Sequence, residues 1–192
     1  MKRQIRTNVF ETNSSSTHSI AVPKSCDAPN YVCFHTDEFG WEFGIANAAD
    51  YFYTAIYEVS ETEDELNENI NKLKNILNEH GVDYDLNEPE IHIWHSDYSN
   101  KDCLSLYDGY IDHGNELKEF VCELLNNGDK LVRFLNGGLV FTGNDNDDNE
   151  GFIDRFNEFI EYYDWRTKAT IKYKNPYYMS NHEYYDWYYK GN

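Results

Sequence analysis

Between Ser60 and Gly81 the chain runs "SETEDELNENINKLKNILNEHG", and this segment constrains the fold more than any other. Leu66, Ile70, Leu73 and Leu77 recur at steps of four and three, the spacing that stacks side chains on one face of an α-helix. Ser60 and Glu63 have the spacing of a capping box, and Gly81 stands where a left-handed residue would end the helix. The other face is polar and opens with five carboxylates: Glu61, Glu63, Asp64, Glu65 and Glu68. Such a helix has one apolar stripe to bury, so the rest of the chain must supply a second layer.

The remaining pattern predicts that layer. Residues 4–10, 18–22, 31–35, 90–95 and 169–174 read as strands, the first two flanking the polar "ETNSSST" as a hairpin or corner. A helix is expected near 45–59 and another at 115–126, with Leu117, Phe120, Val121, Leu124 and Leu125 as its stripe. "KLVRFLNGGLVFTG" predicts a hairpin turning at Asn136-Gly137. A further helix is expected over about 150–163, with Phe152, Phe156, Phe159, Ile160 and Tyr163 inward. There is no internal repeat and no regular strand–helix alternation. The expectation is a single α+β domain over residues 1–192, ending in an aromatic-rich tail at 175–192. Its sheet is mixed or mostly antiparallel and carries three to four amphipathic helices.

Charge narrows the function. The chain has 16 Lys and Arg against 35 Asp and Glu, a formal charge of −19. Residues 61–160 alone hold 7 basic and 24 acidic side chains, a net −17. A field of that sign repels nucleic acid and anionic membranes and attracts basic surfaces, so direct binding of DNA or RNA is not expected. No apolar run approaches the ~20 residues that span a bilayer. "MKRQIRTNVFE" lacks the apolar segment of a secretory signal, which leads to an expected cytoplasmic location. The cysteines, at 26, 33, 103 and 122, form no close pair, so they read as small buried hydrophobes or incidental thiols rather than zinc ligands.

Four stretches carry candidate chemistry. Ser15, His18 and Glu11 supply nucleophile, base and orienting acid within "ETNSSSTHS". The same letters equally describe a turn in which Ser, Thr and Asn bond their own backbone, or an anion loop served by Lys2, Arg3 and Arg6. His92 and His95 fall on a strand, where odd separation sends side chains to opposite faces and disfavours a shared metal. Asp145, Asp147 and Asn149 begin like a calcium loop, but Glu150 and Phe156 stand where the turn glycine and the bidentate Glu belong. No metal or cofactor is therefore expected.

The helical acids are the fourth. Five charges over eight residues amount to roughly one per 2.4 Å of axis, against about one per 1.7 Å in duplex DNA. Asp145, Asp147 and Asp148 form a second acidic cluster. The aromatic tail, with six tyrosines and a tryptophan between 177 and 189, suits either an interface or the cover of an open sheet.

"RTNVFETNSSSTHSI" at 6–20, with "EFGWEFG" at 38–44, resembles the start of a set of small proteins from phages and mobile elements of Gram-positive gut bacteria. In size and charge the chain is also similar to acidic phage proteins that mimic DNA, among them anti-CRISPR proteins. That resemblance implies an inhibitor of a basic nucleic-acid-binding protein, with a CRISPR effector nuclease as the favoured partner. Glu61, Glu63, Asp64, Glu65, Glu68, Asp145, Asp147 and Asp148 would form its contact surface. The alternatives are an enzyme handling phosphate or acyl groups at Ser15 and His18, or a phage assembly component.

Overall fold

A helix sits where the other elements meet in the computed structural model, which describes residues 16–40, 44–96, 101–112, 117–144, 159–164, 167–174 and 184–190. This helix, α1 (Ala48–Val59), buries Tyr51, Phe52, Tyr53, Ala55 and Ile56 almost completely and so has no polar face to offer along its middle. Its start is fixed by Asn47, whose side-chain oxygen accepts the N–H groups of Ala49 and Asp50 at 2.8 and 3.3 Å. Its end is closed by Ser60, whose hydroxyl donates to the Ile56 carbonyl at 2.7 Å.

The helix foreseen from the leucine stripe is α2 (Glu63–Glu79), with Leu66, Leu73, Ile76 and Leu77 buried. Its cap is two residues later than the expected Ser60–Glu63 pair. Thr62 Oγ1 accepts the N–H of Glu65 at 3.2 Å, and the Glu65 carboxylate reaches back to the N–H of Glu61 at 2.9 Å. "SETEDE" holds two overlapping box patterns, and Ser60 is already committed to closing α1. Gly81 ends α2 as expected: its φ is +66°, and the N–H of Val82 reaches back to the Leu77 carbonyl at 2.9 Å.

The third helix, α3 (Leu117–Leu125), buries the five residues of its foreseen stripe. The expected hairpin at Asn136-Gly137 does not form. Residues Gly128–Gly137 are a fourth helix, α4, followed directly by a strand at Leu139–Asn144. Asn127 caps α4 by accepting the N–H of Lys130 at 3.1 Å, and Leu131, Val132 and Phe134 turn inward. A short run such as "LVRFL" satisfies both periods, and the edge-on packing of Phe134 with Phe52 and Phe120 decides for the helix.

The main sheet is antiparallel. Its strand β1 (Ser16–Pro23) lies between β12 (Tyr185–Lys190) and β9 (Leu139–Asn144), and β4 (Gly44–Ala46) closes the far side. Register places His18 opposite Thr142 on one side and Lys190 on the other. Part of the aromatic tail is thus an edge strand of the sheet. Smaller pairs surround it. β2 (Tyr31–Phe34) runs parallel to β5 (Asp83–Leu86), and β3 (Glu38–Phe39) parallel to β8 (Tyr110–Ile111). β6 (Ile91–Ser96) and β7 (Lys101–Leu106) form an antiparallel hairpin. The last pair, β10 (Phe159–Asp164) with β11 (Ala169–Lys174), corrects the helix expected over 150–163: its final third is strand, and residues 150–158 lie outside the described part. The backbone pairs in register from Phe159 opposite Lys174 to Asp164 opposite Ala169, a ladder partner that lies far along the chain from the helical pattern read locally. The fold is α+β, with mostly antiparallel strands and four helices among the described residues. No described helix is long and apolar enough to cross a membrane. All four cysteines are free thiols, with Cys26, Cys33 and Cys103 half-buried and Cys122 exposed, so of the two readings the fully buried hydrophobe does not apply.

Candidate functional site

The five acids at the start of α2 do project outward. Glu61, Glu63, Asp64 and Glu68 are exposed and Glu65 is half-buried, because the stripe through Leu66 and Leu73 holds the opposite face against the core. Three of them already meet a cation. Lys118 of α3 lies 3.5 Å from Glu61 and 3.4 Å from Glu65, and Lys72 lies 2.6 Å from Glu68. Those carboxylates raise the pKa of the Lys118 ammonium, through Glu65 first and Glu61 second, and the hydrogen bond from Lys72 lowers that of Glu68. Exposed pairs of this kind contribute little to stability and are weakened by salt. Glu63 and Asp64 make no ion pair among the described residues, while the pairing of the other three lowers the net charge density of the helix start below that read along the sequence.

What the sequence did not reveal is the opposing wall. A groove of about 310 Å³ runs between the start of α2 and the β6–β7 hairpin. Glu61, Glu63 and Asp64 line one side, Asp102 the other, and Ile93 and Leu104 give it apolar surface. Asp102 also binds Nδ1 of His95 at 2.9 Å, across the register pair that joins the two strands. A groove with carboxylates around apolar surface accommodates a long cationic side chain, whose stem lies on hydrocarbon while its head meets oxygen. Only the α2 half was legible, since β7 was not foreseen.

The second acidic cluster, Asp145, Asp147 and Asp148, lies outside the described residues, and so do Ser15 and Glu11. His18 is described, and it is enclosed. It sits on the interior strand β1 at 0% exposure, and its Nδ1 is 2.9 Å from the hydroxyl of Tyr51. Burial alone drives the Tyr51 phenol pKa far upward, which keeps it protonated. The pair is a polar contact inside the core, where an unmatched imidazole or phenol would be costly. His92 and His95 take separate partners, Tyr107 at 3.3 Å and Asp102 at 2.9 Å. No group of metal-ligating side chains occurs among the described residues.

Comparison with known proteins yields no matching family model, no matching curated protein and no matching solved structure.

Proposed function

We propose that this chain is a protein-binding inhibitor carried by a phage or mobile element. It acts in the host cytoplasm on a basic, nucleic-acid-handling protein, with an RNA-guided CRISPR nuclease as the favoured target. It competes with DNA for a groove built to hold phosphates and performs no chemistry in doing so. The reading is supported by one observation above the rest: Glu61, Glu63 and Asp64, on a capped helix start, face Asp102 across a groove with apolar surface. A Lys or Arg from the partner would lay its stem along Ile93 and Leu104 and place its head among the four carboxylates. The formal charge of −19 would speed the encounter with a basic channel.

The test is a competition assay between the purified chain and DNA for an RNA-guided nuclease from a Gram-positive host. Raising salt from about 0.05 to 0.5 M should weaken the inhibitor steeply as both surfaces are screened. Glu63→Gln and Asp64→Asn should each weaken it by roughly twofold to fivefold, as ~0.5–1 kcal/mol of exposed electrostatics implies. Inhibition that ignores both salt and these substitutions would overturn the proposal.

A further inference from the structure

A strand shows alternate residues on one face, and the outward face of β2 carries Tyr31 and Cys33, with His35 just beyond its end. The Cys33 sulfur lies 3.7 Å from Nε2 of His35 and 3.9 Å from its Nδ1. Nδ1 is in turn 3.6 Å from Oδ1 of Asp50, in the first turn of α1. The same carboxylate oxygen accepts the backbone N–H of His35 at 2.8 Å, which fixes it beside the ring. Nε2 is thus the nitrogen nearer the thiol and Nδ1 the one nearer the carboxylate, the order in which an oriented base serves a nucleophile. These distances exceed those of finished hydrogen bonds, as is common before a reacting group is seated. Because the sulfur is almost equidistant from the two nitrogens, a modest turn of the exposed ring completes the contact.

The surroundings select what can approach. Asp85 is the register partner of Cys33 on β5, and the Tyr31 hydroxyl donates to it at 2.7 Å. Asp83, two residues earlier on β5, shares that face. Together with Asp50 they make the rim anionic. Cys26 and Cys122 differ. Cys26 donates to the Arg133 carbonyl at 3.5 Å, and burial pushes its thiol pKa up, while Cys122 is more exposed than Cys33.

We propose that Cys33 is a nucleophilic thiol, with His35 as its base and Asp50 as a positioning carboxylate, that exchanges with neutral or cationic disulfides. His35 Nε2 takes the thiol proton and the Cys33 sulfur attacks one sulfur of the disulfide. A new S–S bond forms as the old one breaks, and the departing thiolate takes the proton from the imidazolium. Cys33 is oxidised to a mixed disulfide, and the reagent is reduced to one thiol. This site is separate from the acidic groove, and neither proposal depends on the other.

The experiment follows each cysteine by mass spectrometry in the intact chain exposed to cystamine, hydroxyethyl disulfide or dithiodiglycolate. Cys33 should react first, ahead of the more exposed Cys122, with cystamine fastest and the dianionic reagent slowest. His35→Gln should slow Cys33 about tenfold or more, less than the roughly 10²–10⁴-fold that a fully seated base supplies, and leave Cys122 unchanged. Asp50→Asn keeps an acceptor for the His35 amide yet should also slow Cys33, and Asp50→Glu should restore part of the rate. A Cys33 no faster than Cys122, a rate indifferent to His35→Gln, or dithiodiglycolate as the fastest reagent would each overturn the proposal.

Discussion

Replacing Tyr51 by Phe isolates the buried contact on which the role of His18 turns. The ring of Tyr51 packs against Phe39 at 5.1 Å and His18 at 5.7 Å between centroids, and Phe preserves both contacts. What is lost is the hydroxyl that meets His18 Nδ1 at 2.9 Å, at a site where both residues are 0% exposed. Leaving a buried polar atom unsatisfied costs about 1–3 kcal/mol, whereas a net hydrogen bond is worth only about 1. For a chain of this length each kcal/mol moves the melting temperature by about 2–4 °C, so the expected fall is about 2–12 °C. Urea unfolding followed by circular dichroism should show a lower midpoint with an unchanged slope, since the unfolded surface is the same. Combining the change with His18→Leu should show a coupling of roughly 0.5–3 kcal/mol, because the two groups touch. Binding of a basic partner should be unaffected. If the Phe variant unfolds at the wild-type midpoint, the Tyr51 hydroxyl does not hold the imidazole in place.

Two further substitutions probe the scaffold of the groove. Thr62→Ala removes the cap of α2 and should cost about 1 kcal/mol in denaturant unfolding, while also loosening the backbone that presents Glu63 and Asp64. His80 joins the end of α2 to Asp129 in the first turn of α4 at 3.1 Å, and that hydrogen bond raises the His80 pKa above its usual 6.5. A raised folded-state pKa adds stability in full below the unfolded value, and that increment is lost as pH rises through the folded one. Asp129→Asn should therefore lower the melting temperature slightly at pH 5.5 and leave it unchanged at pH 9; equal losses at both would refute the linkage.

Elements that announce themselves locally were readable in advance. The stripes of α2 and α3 survive because each is long enough for a single period to stand out. Strands β1, β2, β6 and β11 were recognised from runs of β-branched and aromatic residues. The failures fall where a short run fits two periods and a distant partner decides. Leu131 to Leu135 became helix because Phe52 and Phe120 wait for Phe134, and Phe159 to Asp164 became strand because β11 lies alongside. β5 and β8 are short and have meaning only once paired, and β7, "KDCLSL", is as long as β6 but holds no β-branched or aromatic residue to announce it. The site divides in the same way. The carboxylates of α2 were evident as a cluster, but their facing Asp102, the Lys118 that answers Glu61, and the approach of Asp50 to His35 all depend on tertiary packing.

The order of the main sheet has a consequence for how the chain is made. Among the described residues β1 pairs with β9 and β12, both far downstream, so during synthesis its hydrogen-bonding edges wait for them while helices α1 to α4 are already emerging. Closing such distant pairings is slow, and a waiting apolar strand is what chaperones at the ribosome bind. A host short of chaperone capacity should therefore accumulate this protein as aggregate before any loss of its finished stability becomes visible.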